Sequence, residues 1–483
     1  MPQAALPELC RHGAVPLAAM IRRREVSAEE VMTAFLDHIE RINPAVNAII
    51  SLRPREEMIA EAREADGQVA RGELRGPLHG VPQAIKDLAT TRGLRTTFGS
   101  RLFADFVPAS DAIMVERMRA AGVLILGKTN VPEFGYGSNT YNPIFGITRN
   151  AYDPSKVGGG SSGGAAVALA LRMLPVADGG DMGGSLRNPA AFNNVFGFRP
   201  SQGLVPAEVF DSFYGQMATE GPMARSAEDL ALLLGVQAGY DPRSPLSYDD
   251  PGLAGWRGAL ETLEGVRFGW LGDMDGHLPF EPGVLELCEQ GARLLEAEGA
   301  IVEPARIDFD PERIWQSWIR LRSHSVRGLH EDAHRNPGTR DLLNEQTIWE
   351  VEHGRSLGVA DVYKAAVERG AWHKALLGAF RRFDFLLLPS AQVFPFAAET
   401  RWPTEIAGRA MDSYHRWMEV VVGPTLAGAP AVSVPVGFNA AGLPMGMQII
   451  AAPRRDAELL AVTALYEKLC PWLERLPALI GGS

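Results

Sequence analysis

Three glycine-rich runs in this 483-residue chain place lysine or serine beside a backbone that could cradle charge. The first, Gly122-Val-Leu-Ile-Leu-Gly127-Lys128-Thr129, has the spacing of a phosphate-binding loop. Such a loop needs free N–H groups between a strand and a helix. Here the intervening Val, Leu, Ile and Leu make the strand itself, and Asn130-Val131-Pro132 interrupts any following helix. The run predicts a strand and no nucleotide site. The second, Gly159-Gly160-Ser161-Ser162-Gly163, has the form of a nucleophile elbow, which requires a preceding buried strand and a histidine base. The preceding Asn150–Lys156 stretch consists of turn formers. None of the ten histidines marks itself as a base, and His324, His330 and His334 share a helical spacing that reads as a solvated or lightly buried face. The third run is Asp181-Met182-Gly183-Gly184-Ser185-Leu186-Arg187. Two glycines before a serine let successive N–H groups converge on one point, which suits an oxyanion. A plain glycine turn accounts for this run alone equally well.

Taken together, Gly80-Val81-Pro82-Gln83-Ala84-Ile85-Lys86-Asp87, then Gly159 to Gly164, then Asp181 to Ala190, resemble the amidase signature family in order and spacing. Ser161 and Ser185 stand 24 positions apart, as that pattern expects. Further likeness lies in Gly127–Phe134, Gly197–Pro200, Glu220–Ser226 and Gly442–Gly446. It is clear over about residues 15–240 and 420–470 and weak between 240 and 420. Ala165, Gly158 and the Pro424-Thr425-Leu426 turn depart from the family's usual residues, but no catalytic side chain is lost.

The resemblance implies an amide-bond hydrolase that works through an acyl-enzyme. Ser185 would be the nucleophile, Lys86 the base and Ser161 the relay between them, with a cis peptide before Ser161. Backbone N–H groups of Met182, Gly183, Gly184 and Ser185 would form the oxyanion hole. Ser162, Asp181 and Arg187 would steady the loop, although an ordinary cap and ion pair explains them as well. Gly135 and Tyr136 would line the acyl pocket. A serine hydroxyl needs a base to become a nucleophile. A lysine serves only when neutral, so burial beside Val81, Pro82 and Ile85 has to lower its pKa. Asp87, next in an extended segment, points the other way. Trp315, Trp318 and Phe210 read as an apolar wall, with helix core the alternative for the two tryptophans; such a wall favours aryl or hydrophobic acyl amides, with esters or carbamates (urethanes) as further substrates. No metal or cofactor is implied. The partner is a small-molecule amide. Two other readings stand beside this one: a glutamine-dependent amidotransferase A-type subunit, and a catalytically dead binding protein on the same fold.

These residues need a scaffold, and the rest of the sequence describes one. Ser27 with Glu30 makes a capping box before Val31, Phe35, Ile39 and Ile42, and Asn43-Pro44 stops that helix. A short strand over 45–51 and a charged helix over 55–71 follow. Helices are predicted over 111–121, 163–172, 227–235, 284–298, 359–380 and 457–469. Strands alternate with them at 123–126, 174–177, 266–271, 385–388, 431–436 and 445–451. Such alternation predicts one large α/β/α sandwich with a mixed, mainly parallel sheet covered by helices on both faces. The expected core spans about 70–240 and 384–470, with N-terminal helices over 1–70 and a cap-like region over about 241–383.

The apolar share of 46% and charged share of 22% fit a globular chain with a sizeable core. The net charge of −11 is dispersed and lacks the basic face that nucleic acid requires. No apolar run reaches the roughly 18 residues of a membrane span. Cys10, Cys288 and Cys470 are odd in number and far apart, so they read as spectator thiols in a reducing cytoplasm. A monomer or homodimer is expected.

Overall fold

The computed structural model describes residues 6–208, 213, 217–256 and 258–481, which leaves Phe210 outside the described residues. The strands used below are β1 (Ile49–Ile50), β2 (Pro82–Lys86), β3 (Leu124–Thr129), β4 (Ala177–Asp181), β5 (Phe196–Arg199), β6 (Thr219–Ala224), β7 (Arg267–Trp270), β8 (Ile301–Pro304), β9 (Phe385–Pro389), β10 (Ala431–Phe438) and β11 (Pro444–Ala451). The helices are α1 (Ala28–Val46), α2 (Gly163–Ala170), α3 (Arg187–Asn193), α4 (Val284–Ala297), α5 (Pro311–Arg335), α6 (Glu345–Ser356), α7 (Val359–Ala379) and α8 (Asp456–Leu469).

Eight strands form the central sheet in the order β8-β7-β9-β11-β10-β5-β6-β4. Strands β9 and β11 are buried along their whole length and β10 at all but its last residue, Phe438, as expected where helices cover both faces. Ala191 of α3 packs at Gly446, whereas Gly291 of α4 and Tyr466 of α8 pack at Val436 on the other side. The α/β class is as the sequence predicts, and the sheet is mixed. Parallel pairing is nevertheless the minority: only β8–β7 and β7–β9 are parallel, and the other five ladders are antiparallel. Parallel neighbours require a long crossover, which α4 supplies between β7 and β8. Strands β10 and β11 are instead joined by a tight turn in which Asn439 N–H donates to the Leu443 carbonyl, and such a turn dictates antiparallel pairing. A second, three-stranded sheet pairs β3 with β1 (antiparallel) and β2 (parallel).

Local readings differ from the structure in two instructive places. Helix α1 runs through Pro44 to Val46 instead of stopping at Asn43. Pro44 gives up the N–H that would donate to the Glu40 carbonyl, and Asn43 Oδ1 accepts the N–H groups of Ala48 and Ile49 beyond the helix end. The strand expected at 174–177 lies at Ala177–Asp181 and includes Gly179-Gly180. Within the stretch 241–383, β7 and β8 join the central sheet, and α5, α6 and α7 pack on one another. No helix among the described residues is long and apolar enough to cross a membrane. All three cysteines are buried and unpaired.

The Ser27–Glu30 capping box forms as predicted, with Glu30 N–H on Ser27 Oγ at 3.0 Å and Ser27 N–H on Glu30 Oε2 at 2.7 Å. Ser27→Ala is expected to cost about 1 kcal/mol in urea unfolding; an unchanged midpoint would show that α1 is held by packing alone.

Candidate active site

Lys86 ends β2 and is fully buried. Its Nζ lies 2.9 Å from Ser161 Oγ, 2.8 Å from Ser162 Oγ and 3.1 Å from the Gly180 carbonyl. Both serines immediately precede α2, and the Gly160–Ser161 peptide is cis. Ser162 N–H donates to the Ser185 carbonyl at 3.2 Å, which binds the two serine-bearing loops to each other. Burial pushes Lys86 down to about 8, opposed by the charges of Glu220, Asp178 and Asp181. Asp87, in the turn just past β2, accepts from Thr97.

The peptides of the Ser185 loop can be accounted for one by one. Gly184 N–H is taken by Asp181 Oδ1 at 2.9 Å, so it is not free for an oxyanion and drops out of the expected set of four. Asp181 is the reason: its carboxylate sits under the loop and also accepts Leu186 N–H. The N–H groups of Met182, Gly183 and Ser185 meet no protein acceptor among the described residues. Gly184 adopts φ +88°, and a β-carbon there would meet Asn188 Oδ1 at 2.3 Å and Val421 at 2.6 Å. Only glycine fits that position.

Asp181 and Arg187 form a fully buried, two-pronged ion pair at 2.9 and 3.0 Å. Burial alone would raise the Asp181 carboxyl, but Arg187 outweighs it and holds the group down at about 2. Arg187 also donates to Val421 O, Gln448 Oε1 and Thr425 Oγ1, tying the loop to β11 and to the short helix Val422–Ala427, into which the Pro424-Thr425-Leu426 stretch folds. Thr425, in a stretch that departs from the family pattern, thus has a definite structural task.

Gly135 and Tyr136 have different neighbours. A β-carbon on Gly135 would lie 3.3 Å from Ser161 Oγ, so this residue borders the serine directly. Tyr136 is one step further out, with Arg322 over its ring at 5.0 Å and its hydroxyl 2.9 Å from His330 Nε2. His330 is partly buried, within the lightly buried face expected: its ring packs 4.2 Å from Phe134, and burial pushes its pKa down to about 4. His334 is likewise buried and faces Glu352, whereas His324 is exposed. Trp315 and Trp318 are core residues of α5, and Trp318 also touches the loop through Nε1 to the Met182 carbonyl at 3.0 Å.

Several contributors escaped the sequence. Asp178 accepts the Lys86 backbone N–H at 3.0 Å. Glu220 pairs in register with Gly180, and its carboxylate lies against that glycine, beside the lysine's acceptor. Arg322 donates to the buried Glu350, which also accepts from Tyr414. Lys128 of the first glycine run is buried in β3 with its amine on Ala89 O and Thr91 Oγ1, so it sits in a strand and not in a phosphate-binding loop. His277, Glu312 and Glu419 are close enough to share an ion, but Arg416 already pairs with both carboxylates.

Fold and site define an α/β protein in which a buried amine meets two serine hydroxyls beside a glycine loop. The sequence matches the Amidase family over residues 30–460. It is 36% identical to the A subunit of glutamyl-tRNA(Gln) amidotransferase from Methylococcus capsulatus, over 96% of this chain and 98% of the relative. It is 32% identical to an acylamidase of Rhodococcus erythropolis, covering 96% and 97% of the two chains. Among solved structures it resembles a bacterial aryl acylamidase of the amidase signature enzymes, with TM-score 0.90, 28% identity and 98% and 99% coverage. The chain belongs to the amidase family, whose members here are hydrolases of carbon–nitrogen bonds and related amidotransferase subunits.

Arg187→Leu strands a buried carboxylate and is expected to cost roughly 3–5 kcal/mol in denaturant unfolding. The folded Asp181 carboxyl titrates at about 2, and an unfolded one near 3.9. The carboxyl's contribution is therefore in place above about pH 4 and lost as the pH falls through about 2. A loss below about 1 kcal/mol at neutral pH would contradict this account.

Proposed function

We propose that this chain is a free-standing amidase acting on linear amides with aryl or hydrophobic acyl groups, through Ser185, Ser161 and Lys86. The observation that carries the reading is the Lys86 amine, buried and lowered, hydrogen-bonded to a serine that stands beside the Ser185 loop. In the proposed reaction Ser185 Oγ attacks the amide carbon while its proton passes to Ser161 Oγ, and the Ser161 proton passes to neutral Lys86 Nζ. The oxyanion takes hydrogen bonds from the free N–H groups of Met182, Gly183 and Ser185. When the C–N bond breaks, the proton returns through Ser161 to the leaving amine. Water then repeats the sequence on the acyl-enzyme. Ser162 holds the amine in place, and Asp181 with Arg187 holds the loop.

An apolar acyl group suits the surroundings. Trp318 and Met418 face Gly183, and Leu88 faces Gly135. The likeness to an aryl acylamidase at TM-score 0.90, against 0.77 for the A subunit of an amidotransferase, supports the same choice. The identity to amidotransferase subunits keeps a second reading, a glutamine-hydrolysing subunit that works in a complex. Glutaminase activity that appears only when the complementary subunits are added would favour it.

A fluorophosphonate probe is expected to label the protein and to fail on Ser185→Ala, as read by mass spectrometry. Lys86 must be uncharged to accept a proton, so kcat/KM should fall about tenfold per pH unit below about 8 and level off above it. A profile flat from pH 6 to 9 would remove Lys86 as the base. Across a substrate panel, anilides and long-chain amides should outpace acetamide; the reverse order would sink the apolar-pocket assignment.

A further inference from the structure

In a planar trans peptide the C=O and N–H point in opposite directions, so fixing one aims the other. The Ser185 loop uses this repeatedly. Gly184 O accepts from Asn188 N–H at 2.7 Å, which turns the Ser185 N–H the opposite way. That anchor belongs to the first turn of α3 and comes with the local chain. The Met182–Gly183 peptide has no such local anchor. Its carbonyl accepts from Trp318 Nε1 at 3.0 Å, across a separation of 136 residues, and this turns the Gly183 N–H away from the indole. The indole itself is fixed. Trp318 is fully buried on α5, with Arg322 stacked over its ring at 5.3 Å. That arginine donates to Met182 Sδ at 3.2 Å and is held by Glu350. A β-carbon on Gly183 would stand 3.0 Å from Trp318 Cζ2, so the ring edge lies flush against the glycine.

We propose that Trp318 is a positioning residue for the reaction: by binding the Met182 carbonyl it aims the Gly183 N–H at the site where the oxyanion forms. This rests on the reading of Ser185 as the nucleophile. The reason a remote anchor is needed lies in the sequence. With glycine at 183 and 184, the backbone tolerates rotations that a side chain would forbid, and an unanchored peptide could turn its carbonyl toward the oxyanion instead. Such a flip replaces a hydrogen-bond donor by a repelling oxygen at the point where negative charge develops.

The test replaces Trp318 by phenylalanine (Trp318→Phe) and, separately, by benzothienylalanine, which keeps the indole's shape and substitutes sulfur for the N–H. On an anilide, kcat is expected to fall about tenfold to hundredfold in both variants with KM changed by less than about threefold. Affinity for a trifluoromethyl ketone, whose adduct mimics the tetrahedral intermediate, should drop by the same factor as kcat/KM. Wild-type kcat in the benzothienylalanine protein would overturn the proposal even if Trp318→Phe fails to fold. So would a lower kcat with unchanged ketone affinity, or a rise in KM alone. Ser185→Ala is assayed alongside: if it retains activity, the nucleophile reading itself falls, and the role of Trp318 with it.

Discussion

Everything around Ser185 depends on keeping one amine out of water without giving it a salt bridge. Lys86 Nζ is surrounded by two hydroxyls and a carbonyl, all neutral. An ammonium so placed loses its hydration and gains no full counter-charge, and the neutral amine is favoured. Three carboxylates nearby work against this, yet each is diverted or distant. Asp178 is engaged by the Lys86 backbone N–H and by Gln83. Asp181 is covered by Arg187. Glu220 lies across Gly180, and burial pushes its own pKa up, which lessens its charge. The Asp181–Arg187 pair therefore does two things: it braces the loop and it keeps a full negative charge from reaching the amine unscreened.

The same carboxylate explains why the glycine loop offers three N–H groups and not four. A backbone nest that binds an anion in substrate would bind a buried carboxylate equally well, and Asp181 occupies part of that capacity from beneath. Counting glycines before a serine cannot reveal this. It depends on which way each peptide turns, and that is set by partners such as Asn188, Arg199 and Trp318.

What was legible in the sequence was local or motif-borne. The capping box at Ser27, the burial of Lys86 at a strand end and the strand nature of Leu124–Thr129 all follow from short-range pattern. Pairing direction was not legible, because it depends on which distant strands become neighbours. β10 lies between β11, its hairpin partner, and β5, more than two hundred residues earlier. The stretch 241–383 was opaque for a related reason. Its helices carry their chemistry on single side chains, Trp318, Arg322 and Glu350, whose partners lie on Met182 and Tyr414. No spacing rule connects a tryptophan to a carbonyl 136 residues away.

The arginine in that group also bears on what the site can accept. A substrate with a free carboxylate, such as glutamine, needs an available cation near the reacting carbon. Of the guanidiniums beside the loop, Arg187 is held by Asp181 and Arg199 by backbone carbonyls, while Arg322 is neutralised by Glu350, donates to Tyr414 and is covered by Tyr136 and Trp318. Its Glu350 partner is buried and held well below the usual carboxylate range, so the pair stays charged and closed. Recruiting Arg322 to a substrate would leave Glu350 as an unpaired buried anion, a penalty of several kcal/mol. An aryl or alkyl acyl group asks for no such rearrangement, only for contact with the rings already there. The charge balance around Arg322 thus supports the proposed preference for apolar amides on grounds independent of likeness to any relative.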